Sequence, residues 1–172
     1  SVTYIGVSAF RQCTSLASVT FAAGSVLETI GDAAFGQCIN LTSITIPESV
    51  TEIRSYAFDD CTNLESVMFA ADSGLLSIGN GAFNQCSNLN SIIIPASVTS
   101  IGDYAFKETA ITSIIIPASV TYIGNSAFES TAITSIVIPA SVISIGGGAF
   151  MACGSLTSVT FAENSELQII MM

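Results

Sequence analysis

The apolar positions of this chain recur as a block rather than at a helical or strand period. An isoleucine stands five residues ahead of each of seven Ala-Phe dipeptides: Ile5, Ile30, Ile53, Ile78, Ile101, Ile123 and Ile145 precede Phe10, Phe35, Phe58, Phe83, Phe106, Phe128 and Phe150. With Ile170 added, successive isoleucines lie 25, 23, 25, 23, 22, 22 and 25 residues apart. A fixed period of roughly 20–50 residues marks stacked repeats, each of which buries its apolar face only against its neighbours.

Within a unit, Leu41, Ile44 and Ile46 are spaced for a short strand that Pro47 closes, because proline has no N–H for the ladder. Val50 and Ile53 follow on a second short strand or an extended turn. Asp32, Ser55, Asn80, Asp103 and Asn125 then hold one column ahead of Ala-Phe. They are N-cap residue types, which predicts a short helical or 3₁₀ turn carrying Ala and Phe inward. The 25-residue units end the first strand at Phe21, Phe69 or Phe161 and add a polar insert. The shorter units turn instead at Pro47, Pro95, Pro117 and Pro139. Both 22-residue units drop one residue after Phe and place Thr109 or Thr131 where the others have Cys. Length changes therefore fall at fixed points of the unit, where a solenoid turns its corners.

Stacking makes every repeat position a column. Leu41, Ile44, Ile46, Val50, Ile53 and Phe58 are one rung's share of the expected core. Just ahead of the second inward strand residue runs a serine column, Ser18, Ser43, Ser66, Ser91, Ser113, Ser135 and Ser158, expected to satisfy corner backbone groups. The next outward column reads Thr20, Thr45, Met68, Ile93, Ile115, Val137 and Thr160. Its four central apolar members would form an exposed stripe about 15 Å long at the usual strand spacing. Such a patch is a candidate protein contact with a threonine margin, although β-branched residues also favour strands for their own sake.

Catalytic chemistry finds little support. Cys13, Cys38, Cys61, Cys86 and Cys153 follow the repeat and are odd in number, so they read as buried free thiols rather than a disulfide framework. There is no histidine to serve as a base for a thiol. Asp59 and Asp60 are adjacent carboxylates on a corner, expected to be solvated charge. No unit supplies the converging oxygen ligands calcium needs, so no metal or cofactor is expected. Asn40-Leu41-Thr42 is the one sequon, making Asn40 the candidate glycosylation acceptor.

Composition narrows the partners. Thirteen acidic residues face Arg11, Arg54 and Lys107, a formal net charge of −10, which argues against nucleic acid and anionic lipid. Mean hydropathy is +0.70, yet no apolar run reaches the roughly 18 residues of a spanning helix, so direct membrane insertion is not expected.

The stretch from Leu89 to Phe106 reads Leu-x-x-Ile-x-Ile-Pro-x-Ser-Val-x-x-Ile-Gly-x-x-Ala-Phe, and a Cys follows the Phe by three residues in five units. In this the chain resembles leucine-rich repeats of the BspA-like, or Treponema pallidum, type, with Arg54 at a glycine position and Thr109 and Thr131 at cysteine positions as departures. The resemblance implies a right-handed α/β solenoid, mostly β and coil, with short parallel strands. Residues 1–172 would form a single leucine-rich-repeat domain of seven units plus the start of an eighth. Because neither end offers a polar cap, the domain is expected to be part of a longer chain. The resemblance further implies a non-enzymatic protein-recognition or adhesion module at a cell surface or secreted. The alternative is a structural scaffold within a larger complex, for which low charge and high hydropathy speak.

Overall fold

The computed structural model describes residues 1–171, so Met172, the last residue of the expected domain, lies outside it. Each repeat is one rung with two strand positions, and parallel pairing sets each column against itself. The second position forms one unbroken eight-stranded sheet: β1 (Tyr4–Ile5), β3 (Thr29–Ile30), β5 (Glu52–Ile53), β7 (Ser77–Ile78), β9 (Ser100–Ile101), β10 (Tyr122–Ile123), β12 (Ser144–Ile145) and β14 (Ile169–Ile170), in that order. Ile5 pairs with Ile30, Ile30 with Ile53, and so on to Ile145 with Ile170. The array is a solenoid of parallel strands, as the repeat requires.

The first strand position does not keep one ladder. Four strands, β2 (Ser18–Val19), β4 (Ser43–Ile46), β6 (Ser66–Phe69) and β8 (Ser91–Ile92), form one sheet, and β11 (Ser135–Ile138) with β13 (Ser158–Phe161) form another. Residues 111–117 between them carry no strand. The break coincides with entry into the two shortened units. Inward residues there are slightly uncovered, Ile92 at 6% and Ile114 at 8% exposure against 2% for Ile44 and Ile136.

No helix forms. In the second rung the N–H groups of Ala34, Gly36 and Cys38 bond the carbonyls three residues back at 3.1, 3.0 and 3.2 Å. Those of Ala33, Phe35 and Gln37 instead reach Ser55, Ala57 and Asp59 of the next rung at 2.9, 2.8 and 2.7 Å. A helical turn needs consecutive residues at negative φ, whereas Ala33 and Gln37 sit at +51° and +61°. The expected helical or 3₁₀ turn is therefore replaced by linked turns that donate alternately inward and along the stack. The Asp/Asn column does not cap either. Asp32 Oδ1 accepts from the N–H of Ser55 at 3.1 Å, Asn80 from Asp103 at 2.9 Å, Asp103 from Asn125 at 2.7 Å and Asn125 from Gly147 at 2.8 Å. These side chains tie rung to rung.

The Ala-Phe column becomes a continuous stack of seven rings, with centroids 5.2–5.6 Å apart and planes within 2–11° of parallel. The glycine that follows most of the repeat isoleucines lies close against the preceding rung. A Cβ on Gly102 would lie 2.6 Å from the backbone nitrogen of Asn80, too close for any side chain. Arg54 and Met171 depart from glycine in that column; the Arg54 guanidinium lies outside, 3.1 Å from Glu52 and 5.7 Å from the centre of the Tyr4 ring.

Candidate functional site

Alternation along the first strand position determines what the surface presents. Ile44 and Ile46 turn inward in β4, leaving Ser43 and Thr45 outside. The same alternation exposes Met68 in β6 and Val137 in β11. Ile93 and Ile115 are 86% and 85% exposed, and Met68 and Val137 54% and 58%. Thr20, Thr45 and Thr160 are exposed in the same file. Register pairs Thr45 with Met68 and Val137 with Thr160. Ile115 stands on the rung whose first position carries no strand, so the file is divided where the two short sheets part.

Two grooves flank this file, and sequence reasoning missed both. Where a 25-residue unit runs on past Phe21 or Phe69 into its insert, the facing unit turns away at Pro47 or Pro95. The mismatch leaves a groove of about 460 Å³ beside Thr20, Thr45 and Glu48, and one of about 630 Å³ beside Met68, Ile93 and Asp72. Ile115 and Val137 line neither. The legible signal was the alternation of Phe-Ala and Ile-Pro endings in adjacent units.

The serine expectation needs correction. Corner carbonyls are met by a different column, that of Pro-x-Ser. Ser49 Oγ donates to Ser25 O at 2.9 Å and Leu27 O at 2.7 Å, Ser97 repeats this with Ser73 and Leu75, and Ser119 donates to Val98 O at 2.6 Å. The column from Ser18 to Ser158 lies instead in register along the strand face, Ser18 with Ser43, Ser66 and Ser91, and Ser135 with Ser158.

The cysteines are free; Cys38, Cys61 and Cys86 are buried, Cys153 is half-buried and Cys13 exposed. Their thiols are more than inert filler. Sγ of Cys38, Cys61 and Cys86 each donates at 3.1 Å to a carbonyl one rung back, that of Phe10, Phe35 and Phe58 respectively. Thr109 and Thr131 donate instead to Phe106 and Phe128 of their own rung, each at 2.9 Å. Burial pushes the Cys61 thiol up to about 12 and that of Cys86 well above its ordinary value. Thiolate is the nucleophilic form, so these groups are poorly suited to attack.

Some carboxylates make contacts within the fold. Asp59 accepts from Asn84 Nδ2 at 2.7 Å, and burial raises its pKa. Lys107 is held between Glu129 at 3.0 Å and Glu108 at 3.8 Å. Asn40 is exposed, with its Nδ2 donating to Thr14 O at 2.8 Å, and it stacks in a ladder with Asn63 and Asn88. Among the described residues no three His, Cys, Asp or Glu side chains gather to hold a metal ion, and no helix is long and apolar enough to cross a membrane.

Six copies of the BspA type leucine rich repeat region match residues 1–74 and 69–170, and the chain belongs to that family. Among solved structures it is similar to a leucine-rich repeat protein from Bacteroides ovatus, with 28% identity over 99% of this chain and 52% of that one and a TM-score of 0.78. A leucine rich cell surface protein from Faecalibacterium prausnitzii shares 34% identity over 95% of this chain and 48% of that one, with a TM-score of 0.61. The T. pallidum leucine rich repeat protein shares 28% identity over 92% and 63%, with a TM-score of 0.60. The chain thus spans about half to somewhat under two thirds of the structures it resembles. No curated protein matches it.

Proposed function

We propose that this BspA-type leucine-rich-repeat chain is a non-catalytic recognition module that binds a protein partner through its first-strand face, in adhesion at a cell surface or in a secreted protein. The observation that carries the reading is the file of Met68, Ile93, Ile115 and Val137, four large apolar side chains more than half exposed on successive rungs. Thr20, Thr45 and Thr160 form its polar margin. Partner binding buries the apolar members, while neighbouring hydroxyls supply hydrogen bonds at the rim. The cell-surface description of the F. prausnitzii relative supports the location.

The test is capture of a partner from native material by the parent chain and by a Met68→Ser, Ile93→Thr, Ile115→Thr, Val137→Thr variant, after circular dichroism shows both fold. A partner held by the parent and released by the variant is the expected result. Equal capture by both would remove the strand face from the mechanism and favour a scaffold using other surfaces.

A further inference from the structure

We infer that the groove beside Met68 and Ile93 takes the side chain of a lysine or arginine from an extended partner segment, with Asp72 as its counter-charge. This rests on the reading of the strand face given above. The two grooves are structural repeats of each other, two units and 48 residues apart, so that Thr20 corresponds to Met68, Phe21 to Phe69, Thr45 to Ile93 and Pro47 to Pro95. Their chemistry has diverged. Both keep the Phe and the Pro and each has one ionisable side chain, but Thr20 and Thr45 of the first give way to Met68 and Ile93 in the second, and the carboxylate moves from Glu48 after the proline to Asp72 on the insert.

An apolar trough with one carboxylate matches a side chain that has a methylene stem and a cationic head, since lysine and arginine bury the stem while keeping the head at a polar partner. The chain supplies no such cation itself. Arg54 is engaged by Glu52 and Lys107 by Glu129, and neither these nor Arg11 lines the groove. With a net charge of −10, the chain favours a basic partner over a second copy of itself or an acidic one.

The test uses the isotopically labelled chain titrated with three capped heptapeptides that differ only in a central lysine, norleucine or glutamate. The lysine peptide is expected to shift amides of residues 66–73 and 91–97 and to bind about 1.5- to 5-fold more tightly than the norleucine peptide, the range of an ion pair to an exposed carboxylate. Glutamate should abolish binding. Asp72→Asn, at a position with φ of +60° that asparagine adopts readily, should reduce the lysine peptide to the norleucine level, whereas Glu48→Gln in the sister groove should change nothing.

Equal binding of lysine and norleucine at these amides overturns the charge assignment while leaving the strand-face reading intact. Absence of shifts with all three peptides overturns the groove assignment, and the partner-capture variant then judges the strand face separately.

Discussion

Replacing Phe83 by alanine tests whether the ring stack is the spine of the solenoid. Phe83 is fully buried, with Phe58 at 5.4 Å and 2° on one side and Phe106 at 5.6 Å and 9° on the other. Truncating a buried phenylalanine costs about 3–5 kcal/mol. Losing two ring neighbours, each contact worth about 0.5–1.5 kcal/mol, places this site at the top of that range. Phe10 provides the comparison: it is 43% exposed and stacks on Phe35 alone. Its truncation should cost about 1–2 kcal/mol, since roughly half the transfer term and one neighbour are at stake. Urea unfolding followed by circular dichroism and tyrosine fluorescence reads both. At about 2 kcal/mol per molar urea, the Phe83 variant should lose roughly 2 M of midpoint and the Phe10 variant under 1 M. Equal losses at the two positions would refute the argument that stacking and burial, rather than the residue type, determine the cost.

Three further outcomes are expected. Burial raises the Asp59 pKa, so stability present below the unfolded value of about 3.9 is lost as pH rises through the higher folded value. Asp59→Asn should therefore melt above the parent at pH 7 and with it below about pH 4, helped by a donor for Asn84 Oδ1, which is buried without a partner; a pH-independent difference would contradict this. Ser119→Ala, which deletes the 2.6 Å bond to Val98 O, should cost about 1 kcal/mol, and Ser113→Ala on the exposed column under about 0.5 kcal/mol, read from thermal melts. Ellman's reagent should modify Cys13 rapidly, Cys153 more slowly, and Cys38, Cys61 and Cys86 only in denaturant; fast reaction of the last three would contradict their burial.

Much of the candidate surface was legible because strand alternation is a local rule. The exposure of Met68 and Val137 follows from the inward direction of Val67, Ile136 and Ile138, whatever the neighbouring rungs do. The grooves were not legible as cavities, since each is bounded by the insert of one rung and the proline turn of the next. The serine roles were misassigned for a related reason. Ser49 and Ser43 are the same residue type, and only stacking shows that Ser49 lies beneath the carbonyls of Ser25 and Leu27.

The period of the isoleucines and phenylalanines alone dictates a stack of rungs with self-paired apolar columns, because no single unit can bury its own face. It equally dictates that the Phe column points inward and that length changes fall at corners. What emerges only when the rungs are assembled is the partner of each backbone N–H. Ala34 bonds within its own turn while Phe35 bonds the next rung, and this division decides that the Ala-Phe segment turns without becoming helical, that Asp32 and Asn80 bridge rungs, and that Ala33 and Gln37 adopt positive φ. Hydrogen bonding between rungs is a non-local competition, and the spacing of residues along one unit carries no record of which donor wins.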